Sequence, residues 1–507
     1  MNPAVAGWIL LVEQPRGRSR GSRATTLPPF AVTFVFSRRL FLRLLGIVYL
    51  IAFATLGAQM TGLVGSRGIL PIGELLSRAR SAYGSDAFHA FPTLLWLSSS
   101  DAMLLLLCWG GAALSLLLVC DVVPVVACPL LWVFYLSLTV AGQVFLEFQW
   151  DMLLLEAGLV ACLYAPLRSP RAEPNPIVRW VLWSLAFKLT FLSGITKLAS
   201  GDPTWAAWTA MTYHYWTQPL PTWTSWYVSQ LPVAFHYWSV PGMFATELVV
   251  PFAIFLPPRF RRTRLIACVL MILLQAGIGA TGNYGFFNLL TIVLYLALLD
   301  DQTLRRRPVM QPESDPPRPE PRPWRVAMSI AAVAIACLST VALVREIQLT
   351  AGTRVQIARA WPGRVLAWVS PFRSINGYGL FRVMTTERPE LVIEVSDDGQ
   401  DFKEYEFPWK PGDPKRRPAF VEPYMPRLDW QMWFAALDPL GAQYWLDSLA
   451  QRILEGEPAV LRLLGPGPLA ARPRRVRIAV YDYRFTTRAE RERSGAWWVR
   501  TFRGDLN

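Results

Sequence analysis

Cysteine is scarce and badly placed for cross-linking. All six (Cys108, Cys120, Cys128, Cys162, Cys268 and Cys337) fall within long apolar runs, and none stands in a CxxC or CxxxH spacing. That excludes a disulfide framework, a zinc site and a thiol-exchange activity. Only three histidines occur. Two of them, His214 and His236, share one region but lack a spaced carboxylate, so no metal and no cofactor is expected. Of the 50 basic residues five are lysines, which leaves 45 arginines, a bias typical of GC-rich, often bacterial, genomes. There is no N-x-S/T sequon, so glycosylation gives no indication of compartment. The formal charge of +14 comes with no RNA- or DNA-binding signature, which leaves orientation in a bilayer with an anionic surface as its use.

What the chain has in abundance is apolar sequence. Hydrophobic residues make up 53% of it, and the mean hydropathy is +0.29. The apolar residues cluster in runs of nearly twenty, which a soluble protein would not contain. Spans are predicted near 40–58, 102–120, 123–142, 147–166, 178–198, 239–257, 264–281, 284–300 and 325–344. With nine spans, Arg38–Arg39, Arg168–Arg171, Arg259–Arg264 and Arg305–Arg307 all fall on one side. By the positive-inside rule that side is the cytoplasm. The expected architecture is a polytopic α-helical membrane domain (38–300), a Pro-rich cytoplasmic linker (301–324), a last transmembrane helix (325–345) and an extracytoplasmic β-rich or α+β soluble domain (350–507). Residues 1–37 read as a disordered basic tail, because their arginines follow the short apolar stretch Ala4–Val12 where a signal peptide has them before it.

Two long outer connections carry signals of their own. SRGILPIGELLSRARSAYG predicts a surface helix with Pro71 in its first turn. Residues 199–238 hold six tryptophans, an aromatic belt at the interface. In the C-terminal part, LVIEVSDDGQDFKEYEF predicts a hairpin turning at Asp397–Gly399, and RVRIAVYDYRFTT and AWWVRTFRG two further strands. RLDWQMWFAAL (Arg427–Leu437) and QYWLDSLAQRILEG (Gln443–Gly456) read as amphipathic helices covering part of a sheet.

Two apolar segments contain charge. Phe145–Gly158 carries Glu147, Asp151 and Glu156. Helical spacing places the first two on one face and Glu156 nearly opposite. Phe187–Gln218 carries Lys188 and Lys197, nine residues apart, with Gly194 able to interrupt the helix between them. One reading is that acids and lysines pair across helices, with Glu147, Glu156 and Lys188 as structural partners. The other is a polar cavity near the outer leaflet in which a desolvated Lys197 acts as a base, assisted by Asp151 or His214.

FQWDMLLLEAG, FLSGITKLASGDPTW, TYHYWTQPLPTW, NYGFFNLLT, FRVMT, EFPWKPGD and RLDWQMWFAAL together resemble the lipase maturation factor family from about residue 40 to 500. The resemblance implies a polytopic membrane protein, in the endoplasmic reticulum in animals and in the cytoplasmic membrane if the source is bacterial. It also implies a role in bringing newly made, secreted lipase-like clients to their active form, and the first reading of that role is a non-enzymatic one. The C-terminal domain would engage the client on the lumenal or periplasmic side. Trp430, Trp433 and Phe434 are the expected client contacts. The segment Gly194–Leu198, followed by Asp202 and Trp205, is more distantly similar to the part of vitamin K-dependent carboxylases that holds their catalytic lysine. That similarity supplies the alternative: a membrane-embedded enzyme acting on a quinone or lipid, with Lys197 as base.

Overall fold

The computed structural model describes residues 32–305, 319–353, 360–469 and 472–506. The predicted tail therefore lies almost wholly outside the described residues, as do Arg306, Arg307 and most of the proline-rich linker. Among the described residues, seven helices are long and apolar enough to cross a membrane. In chain order, and counting two shorter ones, the bundle helices are α1 (Val35–Gly57), α2 (Asp101–Val119), α3 (Pro124–Ala141), α4 (Gln149–Tyr164), α5 (Pro176–Ala199), α6 (Val233–Phe255), α7 (Arg261–Thr281), α8 (Phe287–Leu296) and α9 (Arg322–Thr350). The first of these begins at Val35, inside the predicted tail.

The two short helices correct the span lengths expected at 147–166 and 284–300. Helix α4 has 16 residues and α8 has 10. Both are buried on nearly every side, so their length is set by neighbouring helices and not by the thickness of lipid. A helix enclosed by protein has no hydrophobic mismatch to relieve. Glu147 consequently falls outside α4, in the short turn before it, and does not share a helix face with Asp151.

Hydrogen bonds sort the connections into two opposite faces. On one face, the Arg39 guanidinium pairs with Asp121 at 2.7 Å, the Phe34 amide donates to Glu173 at 3.1 Å, and Thr33 donates to Asp301 at 2.9 Å. The other face holds the described residues after α9. There the Gln59 amide donates to the Met425 carbonyl at 2.9 Å, Asn283 to Ala419 at 2.8 Å, and the Trp226 indole to Thr486 at 3.0 Å. The described arginines counted above all lie at the face away from the C-terminal part.

The C-terminal part is built on a four-stranded antiparallel sheet in the order β2-β1-β3-β4, with β1 Pro389–Ser396, β2 Lys403–Tyr405, β3 Arg475–Phe485 and β4 Trp498–Asp505. Ile393 stands opposite Ile478, and β1 is buried along most of its length. Helices α10 (Arg427–Leu437) and α11 (Pro439–Glu455) fill the connection between β2 and β3. Residues Thr33–Asn507 form one compact unit, so the sheet is packed on the bundle and not tethered to it. Trp226, from an outer connection of the bundle, lies in one apolar cluster with Tyr483, Phe485 and Trp498 of the sheet and with Trp497 just before β4. At the head of β1, buried Arg388 pairs with Glu390 at 2.7 Å and donates to the carbonyls of Trp216 and Pro219.

Candidate functional site

Lys197 occupies the last turn of α5. Its ammonium donates to the Ser193 carbonyl at 2.9 Å and to both oxygens of Glu247 at 2.8 and 3.0 Å. Glu247 sits in α6, where the helix widens into a π turn over Ala245–Val249 between Pro241 and Pro251. Such turns re-aim one side chain out of an otherwise regular helix and recur at functional sites. Gly194 makes the approach possible. A Cβ there would stand 2.8 Å from the Leu248 side chain and 2.9 Å from the Glu247 Cβ. The helix α5 is unbroken at Gly194; the glycine serves close packing and not interruption.

The pair forms part of the wall of a cavity of about 350 Å³ between α5, α6, α7 and the aromatic connection. His214 is on the same wall, with its Nε2 3.3 Å from the Tyr284 hydroxyl, which donates to Gln218 at 2.6 Å. Burial, with the Lys197 charge nearby, brings His214 down to about 4, so its ring is neutral at pH 7. Asp202 stays outside this cavity, whereas Trp205 lines it. Asp202 caps the short helix Pro203–Ala206 through the Thr204 amide and accepts from the Met384 amide at 2.7 Å. The Trp205 indole N–H donates to the Phe381 carbonyl at 3.1 Å, and its ring stands 5.6 Å from the Lys197 nitrogen.

Asp151 is elsewhere, and this corrects its expected partnership with Lys197. Its carboxylate accepts two bonds from Arg427, at 2.5 and 2.8 Å, and one from the Tyr135 hydroxyl at 2.5 Å. The face of α4 that carries Asp151 is turned to α3 and to the start of α10. Of the predicted trio, then, Lys197 and His214 share a cavity and Asp151 holds the C-terminal part. Lys188 pairs with Glu156, whose second oxygen accepts from Tyr378 at 2.7 Å. Glu147 is exposed and lies 3.4 Å from Arg373.

The three aromatic rings on α10 divide. Trp430 is buried against Trp150, Phe148 and Tyr284, and its indole N–H donates to the Asn283 carbonyl at 3.1 Å. Trp433 is buried too and donates to the Thr217 carbonyl at 2.9 Å. Both rings seat the helix on the bundle, and neither is available to a partner in this arrangement. Phe434 is 40% exposed and begins an apolar stretch continued by Leu437, Leu440 (84%) and Tyr444 (57%).

Sequence reasoning missed Glu247 and Arg427. The signal for Glu247 was present: it is the one charged residue in the apolar run 239–257, and charge at membrane depth calls for a partner. Arg427 gave no such signal, because an arginine at the start of an amphipathic helix is ordinary at a surface.

Residues 36–306 match the family model for the lipase maturation factor transmembrane domain, and residues 374–507 that for the lipase maturation factor C-terminal domain. Among curated relatives, lipase maturation factor 2 of Gallus gallus is 36% identical over 91% of this chain and 80% of its own length. Lipase maturation factor 2 of Homo sapiens is 35% identical over 91% and 81%, and lipase maturation factor 1 of Homo sapiens 33% identical over 96% and 90%. No solved structure matches. With both halves matched, and a polytopic helical bundle carrying a small antiparallel sheet, the chain belongs to the lipase maturation factor family.

Proposed function

We propose that this protein assists secreted, lipase-like clients through the surface of its C-terminal part, on the side of the membrane away from the cytoplasm. Support for the side comes from the arginines that flank the spans in the short connections at the opposite face, which orient the bundle by the positive-inside rule. The observation that carries the client surface is the run Phe434, Leu437, Leu440 and Tyr444, four large apolar side chains left at least 40% exposed within eleven residues. Large apolar side chains grouped and exposed in this way mark a surface that meets another protein or a membrane. In animals the compartment would be the endoplasmic reticulum; in a bacterium, the cytoplasmic membrane with this surface in the periplasm.

Removing residues 350–507 is a poor test, because it strips partners from Asp151 and Gln59 in the bundle and from Trp226 in its outer connection. A surface variant avoids that damage. Leu440→Asp with Tyr444→Asp should lower the yield of active secreted lipase from a co-expressed client while leaving abundance of the membrane protein unchanged. Full lipase activity at equal abundance would refute this assignment of the surface.

A further inference from the structure

The cavity beside Lys197 opens sideways. Phe235 and Ser239 of α6 line one edge, and Leu273, Gly277 and Ile278 of α7 the other. These two helices pack closely only along the π and 3-10 turns of α6, and they part toward Val233 and Thr281. Phe235, Leu273 and Gly277 are exposed at the parting, on the perimeter of the bundle. The opening therefore faces acyl chains, near the ends of α6 and α7 that lie on the C-terminal side.

Deeper in, polar groups converge on an otherwise apolar wall. Gln275 is only 8% exposed and lines the cavity, and its Oε1 has no hydrogen-bond partner among the described residues. A buried acceptor is normally satisfied, so one left open inside a cavity points to a donor that arrives with a ligand. The charges beside it cancel. Lys197 is engaged by Glu247 and the Ser193 carbonyl, and the Glu247 carboxylate repels a second anion. A cationic head would meet the Lys197 ammonium. What suits the lining is an uncharged head that donates a hydrogen bond.

We propose that this cavity binds an uncharged lipid bearing a free hydroxyl. The hydroxyl donates to Gln275 Oε1, and the chain leaves between Phe235 and Leu273 into the bilayer. A volume of about 350 Å³ is at the small end for a ligand site, enough for a head and the first part of a chain. A simple long-chain alcohol and a diacylglycerol share this chemistry. The proposal does not depend on the client surface described above.

The test uses the purified full-length protein in lipid nanodiscs and three photo-crosslinking probes. These are a long-chain alkanol, a diacylglycerol and an alkyl sulfate, each carrying a diazirine in the chain. The alkanol or the diacylglycerol should label peptides containing Phe235 or Leu273–Thr281, with the sulfate labelling about tenfold less, because its charge finds no partner. Gly277→Trp places an indole at the mouth, where an added Cβ meets nothing within 4 Å. It should abolish labelling with no change in thermal stability. Gln275→Leu should weaken alkanol labelling about threefold or more, the loss of one hydrogen bond. Equal labelling by the sulfate, or undiminished labelling of a folded Gly277→Trp protein, would overturn the proposal.

Discussion

The Arg427 guanidinium and the Asp151 carboxylate form a two-pronged pair, with both side chains fully buried and the Tyr135 hydroxyl completing the shell of Asp151. The pair links the first turn of α10, in the C-terminal part, to the first turn of α4 in the bundle. Such a pair contributes less by attraction than it costs when broken, since a lone buried charge has nowhere to go. Arg427→Met should therefore lower stability by about 3–5 kcal/mol, read as an earlier thermal transition in detergent and lower abundance in cells. Adding Asp151→Leu should recover much of the loss. If the double variant is no better than the single one, the pair is not what fastens the two parts.

The Lys197–Glu247 pair depends on the absence of a side chain at Gly194. Gly194→Ala puts a methyl group inside contact distance of Leu248 and of Glu247 itself. Overpacking of this kind costs about 1–3 kcal/mol and displaces the π turn. Lys197→Met should be more harmful than Lys197→Met combined with Glu247→Leu, because the single change strands a carboxylate. This cycle also addresses chemistry at Lys197. A lysine needed only for architecture is replaceable in the double variant without loss of lipase maturation, whereas a catalytic one is not. The assay is secreted lipase activity normalised to abundance of the membrane protein.

Much of this was legible in the chain and some of it was not, for physical reasons. Long apolar runs declare helices such as α2 and α7, because lipid demands their length. The hairpin of β1 and β2 and the strand Arg475–Phe485 declare themselves by alternation and by the turn at Gly399, which has a positive φ. The true lengths of α4 and α8 are hidden, since interior helices obey their neighbours. The π turn at Glu247 has no periodicity of its own to read. Trp430 and Trp433 look alike on a surface helix and on a buried one, and only their donors, paired with Asn283 and Thr217, decide the matter.

Acidity at the junction gives a pH dependence with a definite sign. Burial raises the Glu422 carboxyl to about 7, partly offset by the amide donors of Tyr284 and Asn288. Burial likewise raises Asp429 to about 6, against the amides of Lys410 and Trp409. A carboxyl raised in the folded state holds its proton more tightly there than in the unfolded chain. Its contribution is complete below the ordinary carboxylate range and is lost as pH rises through the folded value. His214, brought down to about 4 from 6.5, works in the opposite direction at lower pH. The thermal transition should therefore fall between about pH 6 and about pH 7.5, and Glu422→Gln should flatten that decline. A transition that rises over this interval in the parent protein contradicts the assignment.

Orientation can be read directly because the parent chain carries no glycosylation sequon. One substitution creates one at each face. Tyr83→Asn gives Asn-Gly-Ser over 83–85, at the end of the exposed surface helix Ile72–Tyr83 on the side of the C-terminal part. Arg261→Asn gives Asn-Arg-Thr over 261–263, at the arginine-rich opposite end of the bundle. Expressed in a eukaryotic cell, the Tyr83→Asn protein should gain a glycan removable by an endoglycosidase, and the Arg261→Asn protein should not. The short arginine-bearing connections at one end decide this outcome, because basic residues close to a span resist translocation whatever the charge of a large domain beyond it. The reverse pattern would put the sheet and the Phe434–Tyr444 surface in the cytoplasm, out of reach of any secreted client.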